Sequence, residues 1–148
     1  MIVNTSRFAE VEVDDQRVIT FHKEILGFPR SKRYVLIQPA EDSSFFWLQA
    51  VDTPGLAFVV TDPSQFVPNY RVPLKTEQMQ ELGLSALDEA QVFVIVNKRD
   101  DALTGNLQGP LVINVTNCVG AQLVLCDRRF TTRVPLMALP AGVEAVSA

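Results

Sequence analysis

The strongest regularity in the chain is a period of two. In FAEVEV (8–13) large apolar residues alternate with acids, apart from Ala9, the pattern of a strand with one wet face. RVITF (17–21) follows the turn-prone pair Asp14-Asp15. YVLIQ (34–38), FFWLQAV (45–51) and LAFVVT (56–61) predict three more strands, and DTPG between the last two has the residues of a reverse turn. QVFVIVNK (91–98) is the longest aliphatic strand segment. PLVINV (110–115) and AQLVLC (121–126), joined through TNCVG, predict a hairpin.

The rhythm breaks over 62–75. Three prolines in DPSQFVPNYRVPLK argue against a central strand and for a turn at Asp62-Pro63 with a short edge strand near Tyr70 to Val72. TEQMQELGL then predicts a helix of about two turns. Thr76 is placed to cap it, Glu77 suits its positive end, Gly83 can end it, and Met79 and Leu82 share a face. SALDEA (85–90) allows a second short helix. The fold class expected is mainly β, one barrel-like antiparallel domain over 1–136 with one or two short helices. LMALPAGVEAVSA after Pro135 has little charge and no period, so 137–148 is expected to fray as a C-terminal tail.

Composition narrows the function. At 148 residues and 47% hydrophobic content the chain is long enough to build a core without staples. A net charge of −4 disfavours direct nucleic-acid binding and suits a basic protein partner. The charged N-terminal stretch is no signal peptide, and no apolar run reaches spanning length, so a soluble, cytoplasmic protein with no membrane partner is expected. Cys118 and Cys126, eight apart, fit neither a C-x-x-C motif nor a zinc finger. They read as reduced thiols, with a cross-hairpin disulfide the alternative.

Candidate chemistry is sparse. His22, the single histidine, sits in an HKE turn and reads as exposed; no nucleophile elbow accompanies it. Glu10 and Glu12 share a strand face and read as solvated. Gly105 and Gly109 lack the Lys-Ser/Thr of a phosphate loop, and Pro110 has no N–H to offer. No enzyme, cofactor or metal site is expected. In FFWLQ alternation sends Phe45 and Trp47 one way and Phe46 and Leu48 the other, so either both faces are buried or one seeks a partner.

VITF…LGF, YVLIQPAEDSSFFWLQAVDTPGLAFVVTDP and TGNLQGPLVIN, in this order, resemble the bacterial flagellar assembly factor FliW family from about Phe8 to Leu136. The chain departs from the usual family pattern at His22-Lys23-Glu24, at Gly105 within Thr104–Leu107, and at Phe130. The resemblance implies a non-enzymatic regulator with two mutually exclusive partners, flagellin and the translational repressor CsrA. Export of flagellin would free the protein to capture CsrA and so relieve repression of flagellin mRNA. A flagellin chaperone that never meets CsrA, and a small-ligand-binding barrel, remain the alternatives.

TGNLQGPLVIN (104–114) sets two amides between glycines. No base or nucleophile accompanies them, which disfavours catalysis. A tight connection held by one amide, and a partner-binding rim, remain as readings that can coexist. The partner-binding candidates are Asn106 and Gln108 for amide hydrogen bonds, Asp62 for charge pairing, and Phe46 as an apolar anchor if its strand face is open.

Overall fold

The computed structural model describes residues 1–138. Eleven strands are present: β1 (Ile2–Thr5), β2 (Ala9–Glu12), β3 (Ile19–Phe21), β4 (Arg33–Ile37), β5 (Phe45–Ala50), β6 (Ala57–Thr61), β7 (Ala90–Arg99), β8 (Ala102–Gly105), β9 (Leu111–Asn114), β10 (Val119–Gln122) and β11 (Val134–Ala138). One α-helix, α1 (Thr76–Leu82), joins them, with 3-10 turns at Asp15–Arg17, Pro63–Gln65 and Leu87–Glu89. β1 and β2 form a hairpin of their own. The other nine strands form one sheet.

That sheet closes on itself through β7. Running β7-β6-β5-β4-β3-β10-β9, it returns to β7, because Ala90–Phe93 pair with Asn114–Leu111. Beyond Val96, which still pairs with Val59 of β6, β7 outruns the ring: on its other edge Val96–Arg99 pair with Gly105–Ala102 of β8, and β11 lies outside β8. Every pairing is antiparallel except β3 with β10, which run parallel.

Alternation on the strands makes two packed faces. Inside the ring, Phe21, Tyr34, Leu48, Val60, Phe93 and Leu111 belong to one cluster. Outside it, Trp47, Val59, Val96 and Leu103 form a second, on which Phe8 from the β1–β2 turn packs edge-on against Trp47 at 6.0 Å. The Arg7 guanidinium stands 4.5 Å over the same indole. Both faces of FFWLQ are therefore covered: Trp47 lies under the hairpin, while Phe46 packs half-buried against the inner cluster, its ring 5.7 Å from Phe93.

A third cluster fills the space between the ring and α1, with Leu82, Val94, Val112 and Leu123 in it. Asn114 and Asn117 of the β9–β10 hairpin both donate to the Leu82 carbonyl, at 2.8 and 3.1 Å, and so hold the helix C-terminus against the barrel. Gly83 ends the helix in the left-handed region at φ 67°.

Several local expectations need correction. Lys75, not Thr76, is the helix N-cap, and the Gln78 amide oxygen accepts its backbone N–H at 2.9 Å. SALDEA makes a 3-10 turn rather than a helix, since the Glu89 carboxylate accepts the Ser85 and Ala86 N–H groups and tightens it. Tyr70 to Val72 form no strand. Tyr70 is instead buried and donates its O–H to the Leu107 carbonyl at 2.6 Å, which turns the proline-rich segment inward. The second hairpin strand begins at Val119, earlier than expected, although Leu123 and Leu125 extend its bonding to Pro110 and Gln108. Met137 and Ala138 lie in β11; the rest of the expected tail, 139–148, lies outside the described residues.

Candidate functional site

Asn97, Asn106, Gln108 and Gln122 bring their amides to one mouth of the barrel. The end of β3, the start of β4, the end of β5, the start of β6 and the end of β10 all meet there, as the registers require. The loops 22–32 and 51–56, the segment 106–110 and the chain after Gln122 form its rim. Gln49 fixes the 51–56 loop from below: its Nε2 lies within 3.1–3.4 Å of the Ala50, Thr53, Pro54 and Leu56 carbonyls.

Asn106 ties its own loop. Its backbone N–H donates to the Ile95 carbonyl at 2.9 Å, and its Oδ1 accepts the Gly109 N–H at 2.9 Å. A Cβ at Gly109 would stand 2.9 Å from the Gln122 amide nitrogen and 3.1 Å from that of Asn106, so a side chain there would push the two amides from their present positions. Gln122 is the second tie: it donates to the Gly109 carbonyl at 3.1 Å and accepts the Leu26 N–H at 2.9 Å. With Leu26 96 residues away from it in sequence, Gln122 thereby pins the 22–32 loop to the 106–110 segment. Gln108 is held only by its backbone, through Thr131 and Leu125, and its side chain is exposed.

These ties frame an open cleft of about 310 Å³. Leu26, Phe28, Phe58, Ile95 and Val124 give it apolar walls, and Asn106, Gln108 and Gln122 give it amides. Leu26 is 68% and Val124 63% exposed, and the two line the same cleft, so they join its apolar surface rather than standing singly. Phe28 stacks edge-on against Phe58 at 4.8 Å, so the apolar rim is continuous with the inner core.

Of the four residues singled out in the sequence, Asn106 and Gln108 come together here; Asp62 and Phe46 do not. Asp62 caps the 3-10 turn at Pro63–Gln65, accepting the Ser64 N–H at 2.9 Å and its hydroxyl at 2.8 Å. It lines a separate cleft with Tyr70, Leu87 and Gln91. Phe46 lies at the open end of the β5–β6 hairpin, opposite the turn, and faces the interior. Sequence reasoning missed Leu26, Phe28, Gln122 and Val124. LGF (26–28) carried a signal, two large apolar residues around a glycine whose φ is 91°.

Tyr34 and Tyr70 are the perturbed titrating groups of the interior. Burial pushes Tyr34 up to about 12, opposed in part by its hydrogen bond to Ser31, and burial pushes Tyr70 up as well. At the surface the Arg129 guanidinium, bonded to Asp127, holds that carboxyl below its ordinary range. Both thiols are free, Cys118 donating to the Gln16 carbonyl at 3.2 Å, and His22 is exposed as its turn predicts. Among the described residues no three His, Cys, Asp or Glu side chains come together as metal ligands, and no helix is long and apolar enough to cross a membrane.

The family model described as "FliW protein" matches residues 2–136. The chain belongs to the FliW family. It is 38% identical over 138 residues to a flagellar assembly factor FliW of Bdellovibrio bacteriovorus, covering 92% of this chain and 79% of that protein. Against the FliW of Heliobacterium modesticaldum the identity is 37% over 147 residues, 98% of this chain and 96% of the relative. A crystal structure of the flagellar assembly factor FliW superimposes with a TM-score of 0.84 at 30% identity, over 97% of this chain and all of that one. The mainly β fold with its ring-like sheet is thus the FliW fold, and residues 106–110 of TGNLQGPLVIN, one of the segments that carry the resemblance, lie at the rim of its mouth.

Proposed function

We propose that this chain is a non-enzymatic cytoplasmic regulator that binds flagellin and the repressor CsrA in alternation, coupling flagellin synthesis to export. Family membership over residues 2–136 carries the reading. The mouth suits it chemically: exposed aliphatics beside the exposed Gln108 amide form a surface for a protein, in which an apolar anchor is desolvated and the amide sets orientation. Asn106 and Gln108 are the proposed rim contacts. Asp62 is proposed as a charge partner in its own cleft, and Phe46 contributes through the fraction of its ring that is accessible. A switch of this kind needs only that two partners exclude each other; its response follows their concentrations relative to their affinities.

The test is calorimetry of the purified protein against CsrA of the same organism, repeated with saturating flagellin. Binding that flagellin abolishes supports the exchange. Flagellin binding without CsrA binding reduces the protein to a flagellin chaperone. Absence of both ends the proposal.

A further inference from the structure

The apolar cleft continues into a cationic one along β7. Strand alternation puts Phe93, Ile95, Asn97 and Arg99 on one face of that strand. Phe93 is in the barrel core, Ile95 lines the mouth, and beyond the ring the same face turns to an amide and then to a guanidinium. A second cleft of about 390 Å³ begins there, lined by Lys98, Arg99, Thr104 and Arg133. It shares Ile95, Asn97, Asn106 and Thr132 with the first, so the two are one continuous groove.

The groove's charge has one sign. No carboxylate lines either half, although the molecule has more acids than bases. Asp100 and Asp101 stand at the adjacent turn without entering the lining. Lys98, Arg99 and Arg133 are all exposed, and none takes part in an ion pair among the described residues. Arg129, by contrast, is occupied by Asp127. Three cations lining one cleft without a carboxylate in it raise its potential, and an incoming carboxylate lowers that potential while gaining charge-assisted hydrogen bonds.

We propose that this groove receives an acidic segment of a protein partner, anchored by a large apolar side chain between Leu26, Phe28 and Val124, with one or more carboxylates against Lys98, Arg99 and Arg133. The proposal rests on the reading of the mouth as a partner surface and adds the partner's chemistry. It is opposite in sign to what the net charge suggests. An RNA strand fits less well: the cationic half is short, and the two rings of the adjoining walls, Phe28 and Phe58, pack edge-on against each other rather than forming a row of stacking platforms along a track of cations.

The experiment is selection from a random dodecapeptide display library on the immobilised full-length chain and on its Arg99→Glu/Arg133→Glu variant. Both positions are exposed, so the variant should fold; thermal unfolding checks this. Wild type should enrich peptides that join a large apolar residue to two or more Asp or Glu. Their binding should weaken roughly tenfold or more in the variant and with rising salt. Enrichment of basic peptides, enrichment without acids, no enrichment, or equal recovery by the variant would each overturn the proposal. So would tighter binding of an oligouridylate RNA than of the selected peptides, lost in the same variant. None of these outcomes bears on CsrA or flagellin binding, which the calorimetry measures separately.

Discussion

Gly120 lies beneath the ring of Phe21, its register partner across the one parallel pairing of the barrel. A Cβ on residue 120 would stand 2.8 Å from Phe21 Cζ and 2.9 Å from Cε2. Phe21 is fully buried and cannot swing away. Gly120→Ala should therefore destabilise the fold by about 1–3 kcal/mol through overpacking. Urea unfolding should show a lower midpoint with an unchanged slope, and Phe21→Leu in the same chain should recover part of the loss. An unaltered midpoint would mean that the ring has room to move.

The buried tyrosines predict an alkaline limit. A phenol whose folded pKa lies above its unfolded value of about 10 gives stability that is fully present below pH 10 and lost as pH rises through the folded value. For Tyr34 the window is from about 10 to about 12, and Tyr70 acts in the same direction. Denaturation midpoints should fall across that window, less so in Tyr34→Phe. Tyr70→Phe should cost about 1–3 kcal/mol at neutral pH, because it removes the donor to the buried Leu107 carbonyl. A flat profile to pH 11.5 in the wild type would contradict the argument.

Asn106 and Gln108 should separate when replaced. Asn106→Ala removes the acceptor for Gly109 N–H and should lower stability by about 0.5–2 kcal/mol. Gln108→Ala, exposed and held by its backbone alone, should change stability by less than about 0.5 kcal/mol and lower affinity for whatever docks on the mouth. Paired unfolding and binding titrations decide it. If Gln108→Ala leaves every affinity unchanged, that side chain is no contact.

Asp62 combines a cap with a charge. Asp62→Asn keeps the acceptor for Ser64 and should cost little stability, whereas Asp62→Lys loses the cap as well, at about 1 kcal/mol. If Asp62 steers a basic partner, both changes should slow association and flatten its salt dependence, Lys more than Asn. Stopped-flow rates at low salt that match the wild type would exclude Asp62 from that encounter.

The sequence was most legible where the physics is local. QVFVIVNK is β-branched, continuously apolar and long, and it became β7. DTPG became the turn between β5 and β6, and Gly83 ended α1. ALTG and VPLMA were missed as β8 and β11, because a four-residue segment ending in Gly and a five-residue one containing Pro have little intrinsic strand signal. Their pairing comes from the overhang of β7, which no local pattern announces. The site divides in the same way. Asn106 and Gln108 could be read from their place between glycines, but Leu26, Phe28 and Val124 become a patch only when Gln122 binds the 22–32 loop to Gly109. The turn of β7 from apolar to cationic was available in period two, and its meaning depended on knowing where the ring ends.

The division of β7 between two neighbours makes one strand a member of two cooperative units. Amide hydrogens in Ala90–Phe93 exchange with solvent only if the closed ring opens, whereas those of Asn97–Arg99 are protected by a short hairpin at its margin. Protection should step down along a single strand near Ile95, the place where the Asn106 backbone joins it. The cationic wall is then the portion of the molecule able to loosen and re-form around an incoming segment while the barrel beneath it stays shut.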